Sequence, residues 1–168
     1  MLICNPRYLS KKAYEKTPMK KILLQFLTIS VEETGTEDME HALRVATAVL
    51  LVEIARADFV VEPVERRRLR ELLEQQFQLS DSELDAVLEE AEADADRLVS
   101  IQHITRLLNE HYDHAMKRRV IEMMWQLVYA DGEKSHYEEH LIRQVADLLY
   151  LSQSEFIKAR HRAEVDGC

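Results

Sequence analysis

Apolar residues recur at three- and four-residue steps through most of the chain, the spacing of one buried helix face. Over residues 39–57, Leu43, Ala46, Leu50 and Ile54 keep that step, and Asp38 stands where an N-cap belongs. Pro63 suits the first position of the next helix, which carries Leu69, Leu72 and Leu73 and runs to about Phe77. Ser80 with Glu83 three residues later has the form of a capping box. It opens a helix with Leu84, Val87, Leu88 and Ala91, which fades through the acidic run Glu89 to Asp96. A shorter helix is predicted over 101–109, then a polar hinge from His111 to His114. Val120, Ile121, Met124, Trp125, Leu127 and Val128 mark a strongly apolar helix over 117–129. Asp131-Gly132 is a turn. Ser135 with Glu138, and Ser152 with Glu155, are two further capping boxes, opening helices to Leu149 and to about Arg162. Ahead of all these, Ile22, Leu23, Phe26 and Leu27 predict an amphipathic helix over 19–29, followed by a loop over 31–37. No segment has the pattern of a strand.

The pattern repeats itself. Ala57-Asp58 and Ala130-Asp131 each close an apolar helical run, each is followed by a short turn, and each has a glutamate seven residues past the aspartate, Glu65 and Glu138. Each then enters another amphipathic run, and Leu79-Ser80 and Leu151-Ser152 carry the match one element further, with one residue deleted. A period this long implies two helix–turn–helix units inside one domain rather than a solenoid. The expectation is an all-α bundle of about seven to eight helices, built from two pseudo-symmetric helix–turn–helix repeats.

Composition narrows the picture. A chain of 168 residues is about one domain. Three glycines and three prolines favour helices and leave few turn residues for a β-sandwich. We read residues 1–18 as an N-terminal arm and 19–168 as one helical domain; Met19-Lys20-Lys21 marks a second position at which translation could start. The net charge of −9 argues against nucleic acid as a partner, because phosphate neutralisation needs a basic surface. Cys4 and Cys168 sit at the two ends, which is neither a disulfide framework nor a thiolate metal site and points to a reducing, cytoplasmic compartment. The apolar stretches are too short to span a bilayer, since Arg44, Glu53 and Arg56 interrupt the longest.

The duplicated turn is the candidate chemistry. An aspartate at a helix C-terminus opposes the macrodipole, which favours cations there. Finding it twice, at Asp58 and Asp131, asks for a cause, and the spacing admits two. In one, the aspartates bond turn amides and Glu65 and Glu138 cap the next helices. In the other, Asp58, Glu65, Asp131 and Glu138 line one cleft about a pseudo-two-fold axis and hold a cation. Oxygen-only ligands suit Ca²⁺ or Mg²⁺ better than Zn²⁺.

Ala-Asp-Gly, a turn, then Ser-x-x-Glu and an apolar helix, occurring twice in a helical chain, resembles the TerB family of tellurite-resistance-associated bacterial proteins, a domain that also occurs in membrane-anchored DnaJ-type co-chaperones. The resemblance covers residues 39–162. The first copy departs from it, with Phe59 where glycine is usual and Glu62 where a serine cap is expected. It implies an all-α bundle with pseudo-symmetric halves and a metal ion held by Asp58, Glu65, Asp131 and Glu138. It also implies a non-catalytic binding module in a bacterial stress or metal-response system, near the inner membrane and peripheral to it. It names neither a protein partner nor an oligomeric state.

Two other constellations carry a reading. His136-Tyr137-Glu138-Glu139-His140 matches the inverted zinc-peptidase pattern, with both histidines on one helix face, and supplies the rival function of a metal-dependent hydrolase. The bland alternative is the polar first turn of a surface helix, since the first repeat copy has neither histidine. Arg66-Arg67-Arg68 reads as a solvated helix face or, at most, a docking patch for an acidic partner. Glu53 stands out on an otherwise apolar stretch, with Gln126 as its repeat equivalent, and Trp125 reads as core. A purely structural interaction domain, whose acidic pairs only cap helices, is the third reading.

Overall fold

The computed structural model describes residues 36–57, 63–96, 100–130, 132 and 135–166. These form α1 (Thr36–Ala55), α2 (Pro63–Phe77), α3 (Asp81–Asp96), α4 (Ile101–His111), α5 (His114–Val128), α6 (His136–Leu148) and α7 (Gln153–Asp166), with no strand among the described residues. The amphipathic helix expected over 19–29, the arm before it, Asp58 and Asp131 lie outside the described residues.

Two helices make the centre. From Val45 to Val52 every residue of α1 is buried, so the helix is apolar all round rather than along one stripe. It packs on α2, α3, α4, α5 and α6. Its one hydroxyl in that stretch, Thr47, donates to the Leu43 carbonyl at 2.9 Å and lies 3.0 Å from the Tyr112 hydroxyl, so burial leaves no polar group unpaired there. In α5 the run from Met123 to Val128 is equally buried, and this helix packs on α1, α2, α6 and α7. Trp125 is core, as expected: its ring stacks on Tyr129 and meets Phe156 edge-on.

α3 lies chiefly on α1 and α7 chiefly on α5, while α2 crosses to α5 and α6 crosses to α1. The two Ala-Asp turns are also entered by matching hydrogen bonds. Arg56 N–H reaches Val52 O at 3.1 Å and Ala57 N–H reaches Ile54 O at 3.2 Å. In the second copy Tyr129 N–H reaches Trp125 O at 3.0 Å and Ala130 N–H reaches Leu127 O at 3.0 Å. Beyond that turn Gly132 has φ +79°, a left-handed conformation that a side chain would strain.

Helix starts follow the expected caps, with two corrections. α1 begins at Thr36, so Asp38 lies in its first turn and complements the helix dipole there instead of capping it. The hinge expected over His111 to His114 contracts to Tyr112 and Asp113. His111 closes α4, while Asp113 caps α5 by accepting from Met116 N–H at 2.8 Å. Tyr112 is held by its buried hydroxyl, which is why no longer hinge forms.

Candidate functional site

Four glutamates occupy the third position of a helix: Glu65 in α2, Glu83 in α3, Glu138 in α6 and Glu155 in α7. At this position a carboxylate can fold back on the N-cap amide. Ser80 N–H donates to Glu83 Oε2 at 2.9 Å, Ser135 N–H to Glu138 Oε2 at 2.7 Å, and Ser152 N–H to Glu155 Oε2 at 3.0 Å. The reciprocal bond to the serine hydroxyl is present at Glu138 (3.2 Å) and Glu155 (3.3 Å), while the Ser80 hydroxyl instead donates to its glutamate at 2.6 Å.

The four are alike in backbone position and unlike in burial. Glu83 is exposed and Glu155 keeps 19% of its side chain in solvent. Hydrogen bonds from Ser152, with a smaller share from His114, hold the Glu155 carboxyl down to about 2; those from Ser80 lower Glu83. Glu65 and Glu138, the two that follow the Ala-Asp turns, are 1% and 2% exposed. Capping alone does not require burial, as the exposed Glu83 demonstrates. The duplicated glutamates sit on helices that each pack against both central helices, α1 and α5, whereas α3 packs chiefly on α1 and α7 chiefly on α5.

Of the four expected ligands, Glu65 and Glu138 thus take matched, buried places. The donor set is not completed by other groups: among the described residues no three His, Cys, Asp or Glu side chains converge in a way that could hold a metal ion. The described carboxylates do not by themselves make a cation site.

The remaining candidates fall as follows. His136 and His140 are exposed on α6, and Glu139 between them lies 3.6 Å from Arg143 and 3.9 Å from Arg160. Glu53 is partly buried, and its carboxyl is raised by burial, opposed by Arg56 and reinforced by Asp96, with which Arg56 pairs at 2.7 Å. It sits at a rim rather than in the core. In the Arg66-Arg67-Arg68 triplet Arg66 and Arg67 are exposed, as a solvated helix face implies, and Arg68 is half-buried. Arg66 lines a small hollow against α1 and α3, while Arg67 and Arg68 line a larger cleft against α5 and α7. Nothing in the local sequence signals those opposing walls; the triplet itself was the one available sign.

No helix among the described residues is long and apolar enough to cross a membrane. No curated protein and no solved structure matches the chain significantly. The profile described as tellurite resistance protein TerB matches residues 44–161, from the middle of α1 into α7, and so takes in both Ala-Asp turns and both buried glutamates. That span is well over half of the 168 residues and coincides with the helical bundle, which makes this chain a member of the TerB family.

Proposed function

We propose that the protein is a non-catalytic TerB-type binding module, acting in a bacterial tellurite, metal or general stress response in the cytoplasm, peripheral to the inner membrane. Its folded state is linked to a divalent cation, Ca²⁺ or Mg²⁺ rather than Zn²⁺, held through Asp58, Glu65, Asp131 and Glu138. The observation that carries this reading is the nearly complete burial of Glu65 and Glu138, where the equivalent Glu83 is exposed and Glu155 only partly buried. Burying a carboxylate is costly unless positive charge or hydrogen bonds compensate it. Two such carboxylates, each seven residues past an Ala-Asp turn, are the arrangement a hard cation would stabilise.

The hydrolase reading loses support from Glu139. Its carboxylate is already engaged by Arg143 at 3.6 Å and Arg160 at 3.9 Å, within its own bundle, rather than standing free between the two histidines.

Calorimetric melting tests the cation linkage. A ligand that binds only the folded state stabilises it by about 2.7 kcal/mol at a hundredfold over its dissociation constant. The protein is expected to melt higher in millimolar Ca²⁺ or Mg²⁺ than in NaCl of matched ionic strength. Asp131→Asn is expected to blunt that shift and to raise the stability of the metal-free protein slightly, by removing like-charge repulsion. If the carboxylates serve only as caps, the result is the reverse: no cation-specific shift, and a less stable metal-free variant.

A further inference from the structure

A cleft of about 320 Å³ opens between the start of α2, the C-terminal end of α5 and the last third of α7. That volume is at the lower end of small-molecule sites. Its α2 wall carries Arg67, Arg68 and Glu71; Gln126 and Tyr129 face them from the end of α5, and a valine and two alanines complete the lining.

The charges in it do not cancel. Arg68 is matched by Glu71 at 3.3 Å. Arg67 is exposed and has no ion pair among the described residues. Elsewhere in this half of the bundle Arg44 pairs with Glu40, Arg56 with Asp96 and Arg70 with Asp85, while Arg66, on the opposite side of α2, has like Arg67 no ion pair among the described residues. A chain of net charge −9 thus keeps the Arg67 guanidinium unmatched at this cleft.

Other features of the cleft also favour an anion. Val64, the second residue of α2, lines it, which puts the cleft at the N-terminal, positive end of that helix's dipole. Across the cleft, the Tyr129 hydroxyl accepts from Arg160 Nε at 3.1 Å, which leaves its own O–H to donate. A planar guanidinium and a phenol lining one small space at the positive end of a helix suit the recognition of an oxyanion.

We propose that this cleft binds a small organic molecule through a carboxylate or phosphate group, with Arg67 as its charge partner. The site goes beyond the cation reading and does not depend on it, since neither Glu65 nor Glu138 lines the cleft.

The test is a titration of the full chain with sodium acetate and, separately, sodium phosphate, at ionic strength held constant with NaCl, followed by the ¹⁵N–¹H signals of backbone amides and arginine Nε. The expected result is a saturable shift at Arg67 and Tyr129 with none at Arg106 on α4. Saturation by acetate alone assigns the ligand group as a carboxylate, and saturation by phosphate alone as a phosphate. Arg67→Gln should weaken binding about tenfold or more, the loss of a charged hydrogen bond. Arg67→Lys, which keeps the charge and loses the fork, should fall between. Glu71→Gln should tighten binding, a gain that damage to the fold cannot imitate. Shifts that never saturate, that appear at all arginines alike, or that survive in Arg67→Gln overturn the proposal, as does a Glu71→Gln variant that binds no tighter.

Discussion

Replacing Ser135 and Ser152 by alanine separates what a cap contributes from what its burial contributes. The two serines share one bond, in which each hydroxyl accepts from the amide three residues on, at 3.2 Å for Ser135 and 3.3 Å for Ser152, and the Ser152 hydroxyl also donates to Glu155 Oε2 at 2.8 Å. In both, the return bond from the serine N–H to the glutamate is a main-chain donor and survives the substitution. The surroundings differ. Glu138 is 2% exposed, so the amide orphaned in Ser135→Ala is poorly rehydrated, whereas Ser152 is exposed and water can take its hydroxyl's place on both the amide and the carboxylate. N-cap truncations cost about 0.5–2 kcal/mol, and an unsatisfied buried donor costs about 1–3 kcal/mol. Ser135→Ala should therefore cost about 1.5 kcal/mol and Ser152→Ala about 0.5 kcal/mol. The difference of about 1 kcal/mol is worth roughly 2–4 °C in melting temperature for a chain of this size. Urea unfolding followed by the fluorescence of Trp125, the chain's single tryptophan and fully buried, reads both variants. The midpoint should fall with the slope unchanged. Equal costs, or a larger cost at Ser152, would refute the argument that burial amplifies the cap.

Two pH dependences follow from the same structure. Glu155 has a folded pKa of about 2, below that of an unfolded glutamate, so its stabilisation is fully present above the unfolded value and is lost as pH falls toward 2. Glu155→Gln should flatten the fall in stability between about pH 5 and 2, measured by urea midpoints; an unchanged slope would show that its carboxyl is not held down. Burial pushes the Tyr112 phenol up to about 12, with Thr47 partly opposing it. Here the folded value is raised, so the contribution is intact below about pH 10 and disappears as pH rises through 12. Absorbance at alkaline pH should show one late-titrating tyrosine that is missing in Tyr112→Phe; loss of an ordinary tyrosine signal instead would count against the buried hydroxyl.

What could be read from the chain alone was what neighbours in sequence decide. Helix periodicity depends on residues three and four apart, and a capping box depends on residues three apart, so α2 over Pro63–Phe77 and the Ser80, Ser135 and Ser152 caps stood out before any packing was considered. The duplicated Ala-Asp turns and the family pattern belong to the same class of local signal, and their matching hydrogen bonds accord with it. The burial of Glu65 and Glu138 does not: a glutamate takes the third helix position at Glu83 and Glu155 as well, and what separates the two pairs is that α2 and α6 each pack on both central helices, while α3 packs chiefly on α1 and α7 chiefly on α5. The same holds for the hinge that proved to be two residues, pinned by a hydroxyl pair between Tyr112 and Thr47 that are 65 positions apart. It holds too for the arginine triplet, divided between two clefts whose other walls come from α1 and α3 and from α5 and α7. Burial and charge matching are sums over distant partners, and those partners meet only when the helices pack.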